Sequence, residues 1–150
     1  MMDVQPAMNV ANELLALEEC RLPGRLIEST LFISEMSVAK VALVRRLAAQ
    51  SLEHCASLVG LIERLGGAPA PRTGDLNSAD LHFQEFHLAM PRLQEDQQDV
   101  VARYRRAAEL VTTPPAAVEL ISEILGQHER DLATLQDLLT ADVSTAGDTG

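Results

Sequence analysis

Near the end of the chain, Ile121, Ile124, His128, Asp131, Leu135 and Leu138 recur at helical spacing, so one face of a helix carries an apolar seam broken in its middle by an imidazole and a carboxylate. Burying either group without hydrogen bonds or a metal ion costs several kcal/mol, about 2–7 for a neutral polar group and more for a charge. A chain that keeps them inside must bring partners to the same level from other segments. That requirement selects folds in which several long helices run alongside one another.

The same interruption recurs upstream. A first helix over about 8–34 has Ala11, Leu14, Leu15, Leu22, Leu26 and Ile33 inward with Glu18 among them, and a kink is expected at Pro23, which lacks an N–H for Glu19. Ser37 is the expected N-cap of a second helix, ended by Gly66-Gly67 and Pro69. Its seam reads Val44, Leu47, Ser51, His54, Leu58, Leu61, Leu65. The third helix, ending near Val111 with Pro91 close to its start, reads Leu93, Gln97, Val100, Tyr104, Ala107 or Ala108, Val111. Thr113 as N-cap with Pro114 at the first helical position opens the fourth, which is expected to end near Ala141 ahead of a disordered tail, 142–150.

Connection lengths choose the topology. Only a few residues separate helices 1 and 2, and again 3 and 4, so each pair is antiparallel, whereas about twenty residues, 67–87, join helices 2 and 3. A helix of nearly thirty residues is roughly 44 Å long, and twenty extended residues span up to about 66 Å, enough to travel its whole length. The expected fold is therefore a single all-α domain with its core over about 8–141. It is an antiparallel four-helix bundle with one long crossover between helices 2 and 3. Phe83 and Phe86 pack that crossover down, and His82 and His87 are read as surface residues.

Composition agrees and also excludes. Apolar residues make up 47% of the 150 but aromatics only 3%, which is the balance of aliphatic helix-on-helix packing. A formal charge of −10 argues against a nucleic-acid backbone or an anionic membrane as partner. No run reaches the roughly 18 apolar residues of a membrane span, and residues 1–8 carry an Asp and no basic stretch, so cytoplasmic residence is expected. Cys20 and Cys55 are too few for a disulfide framework and are read as buried thiols. The five methionines share no spacing that suggests a copper site, and there is neither a glycine-rich phosphate loop nor a supported Ser-His-Asp set.

Leu52-Glu53-His54-Cys55, followed by Leu58, Leu61-Ile62 and Leu65-Gly66-Gly67-Ala68-Pro69, resembles the second helix of ferritin-like proteins, especially bacterioferritin, rubrerythrin and their relatives. Val101-Ala102-Arg103-Tyr104-Arg105 resembles their third helix, and the stretch from Ile124-Leu125 to Leu135 their fourth, so the likeness runs from about Asn12 to Leu139. In that family the bundle centre holds two irons, bound by a Glu on helix 1, Glu-x-x-His on helix 2, a Glu on helix 3 and Glu-x-x-His on helix 4. Glu18 and His54 match two of those positions; Ser51, Gln97, His128 and Asp131 stand where Glu, Glu, Glu and His are found. Leu52 stands where bacterioferritins carry their heme-ligating Met, so no heme is expected.

With Glu18 and Asp131 as the only carboxylates, the charge favours one divalent ion over two. Glu18, His54 and His128 then make a two-His-one-carboxylate set suited to one Fe or Zn ion, with Asp131 as fourth ligand or as partner of an imidazole. The competing reading is a relic centre, a hydrogen-bonded polar layer in a non-catalytic bundle that serves assembly or protein binding. Self-association, as a dimer or larger homo-oligomer, is expected in both.

Overall fold

The computed structural model describes residues 3–27, 36–70 and 89–148. Among them every regular element is helical: α1 (Gln5–Glu19), α2 (Leu22–Ile27), α3 (Val38–Arg64), α4 (Ala89–Leu110) and α5 (Pro115–Asp148). The crossover beyond residue 70, with His82, Phe83, Phe86 and His87, and the last part of the expected first helix lie outside the described residues.

Local chemistry accounts for the boundaries. The expected kink at Pro23 is instead a break, because a proline inside a continuous helix would lose a hydrogen bond and crowd the Glu19 carbonyl. The chain stops α1 at Glu19, where the Cys20 amide donates to the Leu17 carbonyl at 3.3 Å, and restarts at Leu22, placing Pro23 in the first turn of α2, where both costs vanish. Ser37 caps α3 as expected, its hydroxyl accepting from the Lys40 amide at 3.3 Å. The other end of α3 closes on Gly66, which holds φ +88°; the Gly66 amide donates to the Glu63 carbonyl and the Gly67 amide to the Ile62 carbonyl, both at 3.0 Å. This is the paired αL closure that a residue with a Cβ enters only at a cost.

The last helix opens one residue later than expected. Pro115, not Pro114, is its first residue, since the residue before a proline is driven out of the helical region, and the Pro114 carbonyl accepts from Ala117 and Val118 at 3.0 and 3.2 Å. It also runs past Ala141 to Asp148. Neither Gly nor Pro stands between Gly126 and Gly147 to stop it.

The helices surround two apolar clusters. Leu14 and Leu15 of α1, Leu58 and Leu61 of α3, Val100 and Ala107 of α4 and Ile121 and Ile124 of α5 belong to one. Leu22 and Leu26 of α2, Val44 and Leu47 of α3, Leu93 of α4 and Leu135 of α5 belong to the other. Each such buried aliphatic side chain contributes about 1.5–3 kcal/mol. Contacts join α1 and α2 to α3 and α4, α3 to α5 and α4 to α5. Along every leg, the residues between the two clusters are the polar ones named above, so one buried polar layer divides the core. No described helix is long and apolar enough to cross a membrane.

Candidate metal centre

Glu18 lies in the last turn of α1, one residue before the break forced by Pro23, and is buried to 3% exposure. His54 and His128 sit on the inner seams of α3 and α5, at 9% and 1%. All three converge: His54 Nδ1 donates to Glu18 Oε2 at 3.0 Å and His128 Nε2 to the same oxygen at 2.9 Å. The two imidazoles stand edge to face, with ring centroids 4.8 Å apart. Tyr104 of α4 closes the fourth side, its hydroxyl donating to Glu18 Oε2 at 2.8 Å and its ring 5.0 Å from that of His128.

Glu18 Oε1 faces a different set. Ser51 donates to it at 3.3 Å, and the buried Arg21 guanidinium stands 3.9 Å away. Arg21 reaches across to α4, where Nε and Nη2 donate to Asp96 Oδ2 at 3.0 and 2.9 Å and Nη2 to Gln97 Oε1 at 2.5 Å. With its carbonyl taken by Arg21, Gln97 turns its amide nitrogen to the His128 carbonyl at 2.9 Å, leaving it 3.3 Å from His128 Nδ1. Gln97 thus orients an imidazole and has no oxygen to offer an ion.

Burial alone would raise the Glu18 pKa, but hydrogen bonds from His128 and His54, and the charge they carry when protonated, outweigh it and bring it from 4.5 to about 2. The carboxylate is ionised inside the bundle. Tyr104 moves the other way, pushed far above its ordinary value by burial first and by the Glu18 charge next, so its hydroxyl stays a donor.

Of the four residues expected to hold metal, the structure brings three together. Nitrogen or oxygen donor atoms of Glu18, His54 and His128 all lie within 4.8 Å of one another. Asp131 is buried, at 2% exposure, yet stands apart from this group. Its Oδ1 accepts from Gln127 at 3.1 Å and lies 3.5 Å from Arg46, and among the described residues no imidazole hydrogen-bonds to it. The expected fourth ligand or imidazole partner, Asp131, is thus not part of this group: Glu18 takes both imidazoles, because its position at the end of α1 puts one oxygen between α3 and α5.

The thiols also differ from expectation. Cys20 is exposed at the α1 break, and Cys55, one residue or 100° round α3 from His54, is only partly buried. Leu52 is 74% exposed. Sequence reasoning missed Arg21 and treated Tyr104 as apolar packing. The signal for Arg21 was its place three residues after Glu18, which puts both on one face of a helical turn.

One carboxylate and two imidazoles, buried with their donor atoms within 4.8 Å of one another, are ligand types that transition ions take. The group can hold a metal ion. Comparison of the chain with protein-family models, curated proteins and solved structures finds no match in any of the three.

Proposed function

We propose that the chain is a ferritin-like, antiparallel four-helix bundle that binds one divalent transition ion, iron or zinc, at Glu18, His54 and His128. The observation that carries this reading is the burial of one carboxylate and two imidazoles with their donor atoms within 4.8 Å of one another. The antiparallel arrangement is supported by the clusters: the α1 residues Leu14 and Leu15 share one with Leu58 and Leu61 from the second half of α3, and Ile121 of early α5 shares it with Ala107 of late α4.

Charge supports one ion, not two. Around the layer, Glu18, Asp96 and Asp131 are answered by the guanidiniums of Arg21 and Arg46, which leaves a single negative charge against the two positive charges of each ion. Bound there, an ion of this kind supplies Lewis-acid chemistry and, as iron, one-electron chemistry. The protein's own part is to hold Glu18 ionised and to keep Tyr104 protonated beside the carboxylate. Self-association belongs to the same reading.

Calorimetric titration of untagged protein with Zn(II) and anaerobic Fe(II) tests the proposal. About one equivalent is expected, and at a hundred-fold excess over Kd a gain of about 2.7 kcal/mol, or a Tm rise of roughly 5–10 °C, abolished in His128→Ala. Uptake below a tenth of an equivalent with no change in Tm contradicts it.

One observation favours a second reading. Gln97, fixed by Arg21, points N–H at His128 Nδ1, which makes Nδ1 the acceptor and leaves the His128 proton on Nε2 for Glu18. The layer is then hydrogen-bonded without an ion, a structural element of a bundle that serves assembly or protein binding. In that case no divalent ion raises the Tm at any concentration.

A further inference from the structure

Two buried oxygens, one in the polar layer and one on α3 beside it in sequence, are not used by the Glu18 group. Among the described residues Asp131 Oδ2 is buried without a hydrogen-bond partner, although the residue is 2% exposed and its other oxygen is held by Gln127 and Arg46. Gln50 Oε1 is likewise buried with no partner among the described residues, although the residue as a whole is only partly buried. Both are acceptors, so neither can satisfy the other.

Their positions relate them to the candidate centre. On α3, Arg46, Gln50 and His54 follow one another at four-residue intervals and so share a face. On α5, Asp131 comes one turn after His128. The helices touch at two levels on these faces, His54 against His128 and Arg46 against Asp131, and Gln50 lies between them on α3. Gln50 therefore stands on α3 between Arg46, whose side chain is 49% exposed, and His54, while Asp131 on α5 is one turn from His128.

We propose that Asp131 and Gln50 form a second, weaker cation site through which a divalent ion passes between solvent and the Glu18, His54 and His128 group, with the Arg46 guanidinium holding Asp131 when no ion is there. This rests on the metal-binding reading above. A carboxylate and a carboxamide oxygen suit a hydrated divalent cation, and two ligands are too few to retain it against a neighbouring pair of imidazoles and a carboxylate. The half-exposed Arg46 is weakly held at 3.5 Å and free to swing into water. With Arg46 turned away, the negative charge of Asp131 concentrates cations and raises their capture rate.

Stopped-flow uptake of Co(II), followed through its visible ligand-field bands in the untagged full chain, tests the inference. Asp131→Asn should slow loading by about ten-fold or more, while equilibrium stoichiometry and Kd at the centre stay within about two-fold of wild type. Arg46→Gln, a change at a half-exposed position, and Gln50→Glu should each speed loading several-fold; these two keep the test valid if Asp131→Asn fails to fold. Unchanged rates in Asp131→Asn, or in both other variants, overturn the proposal and leave the bare oxygens to ordered water only. Slower loading with a matching loss of affinity also overturns it, since Asp131 would then belong to the centre itself. Absence of Co(II) uptake by wild type overturns the metal-binding reading and this inference with it, whereas normal uptake with rates insensitive to these residues overturns this inference alone.

Discussion

Replacing Glu18 with Gln removes the charge on which both imidazoles, Tyr104 and Arg21 converge while keeping the side chain's shape. Its folded pKa of about 2 against an ordinary 4.5, at about 1.4 kcal/mol per pH unit, corresponds to about 3 kcal/mol. The group is buried, so solvent screening removes little of this. Because the folded-state pKa is depressed, the stabilisation is fully present above pH 4.5 and is lost as pH falls toward 2. Urea unfolding of wild type and Glu18→Gln at pH 7, 4.5, 3 and 2 reads it directly, since the other carboxylates titrate alike in both proteins and cancel in the difference. Wild type should exceed the variant by about 3 kcal/mol or more at pH 7, and the gap should close by about 3 kcal/mol between pH 4.5 and 2. A gap that stays constant across that window would refute an ionised Glu18 in the interior.

Tyr104 is the chain's single tyrosine, so absorbance at 295 nm reports it alone; no phenolate should form in the folded protein below the pH at which it unfolds. Tyr104→Phe keeps the ring and loses a hydrogen bond to a charged acceptor, an expected cost of about 1.5–3 kcal/mol by chemical denaturation. Arg21→Met strands the partners Asp96 and Gln97 and should destabilise by about 3–5 kcal/mol, far more than removal of a surface arginine. Gly66→Ala forces a Cβ into the αL closure of α3 and should lower stability by about 1 kcal/mol with no effect on metal uptake.

The seams were legible in the sequence because helical periodicity is local. Leu14, Leu47, Leu58, Leu93, Val100, Ile121 and Leu135 are all buried as their spacing requires, and the interruptions at Glu18, Ser51, His54, Gln97, His128 and Asp131 are buried with them. What spacing cannot set is the reach of long side chains across the bundle. Glu18 and Asp131 look equivalent in sequence, each a carboxylate on an apolar seam. Only the ending of α1 beside Pro23 sends Glu18 between two imidazoles, and only the proximity of Arg46 and Gln127 draws Asp131 away from them. Arg21 was obscured for a related reason. An arginine near a helix break reads as solvated, and its burial depends on Asp96 and Gln97, some seventy-five residues away in sequence. The break itself, and the start of α5 at Pro115, turned on single prolines whose geometric demands outweighed the pattern around them.

The central claim concerns where an ion sits, and anomalous diffraction from crystals grown with one equivalent of Zn(II), recorded on both sides of the zinc edge, tests it most directly. The expected result is a single interior anomalous peak within about 2.0–2.2 Å of a Glu18 oxygen, His54 Nδ1 and His128 Nε2. A map without a peak among those three side chains, at full zinc in the mother liquor, would contradict the account.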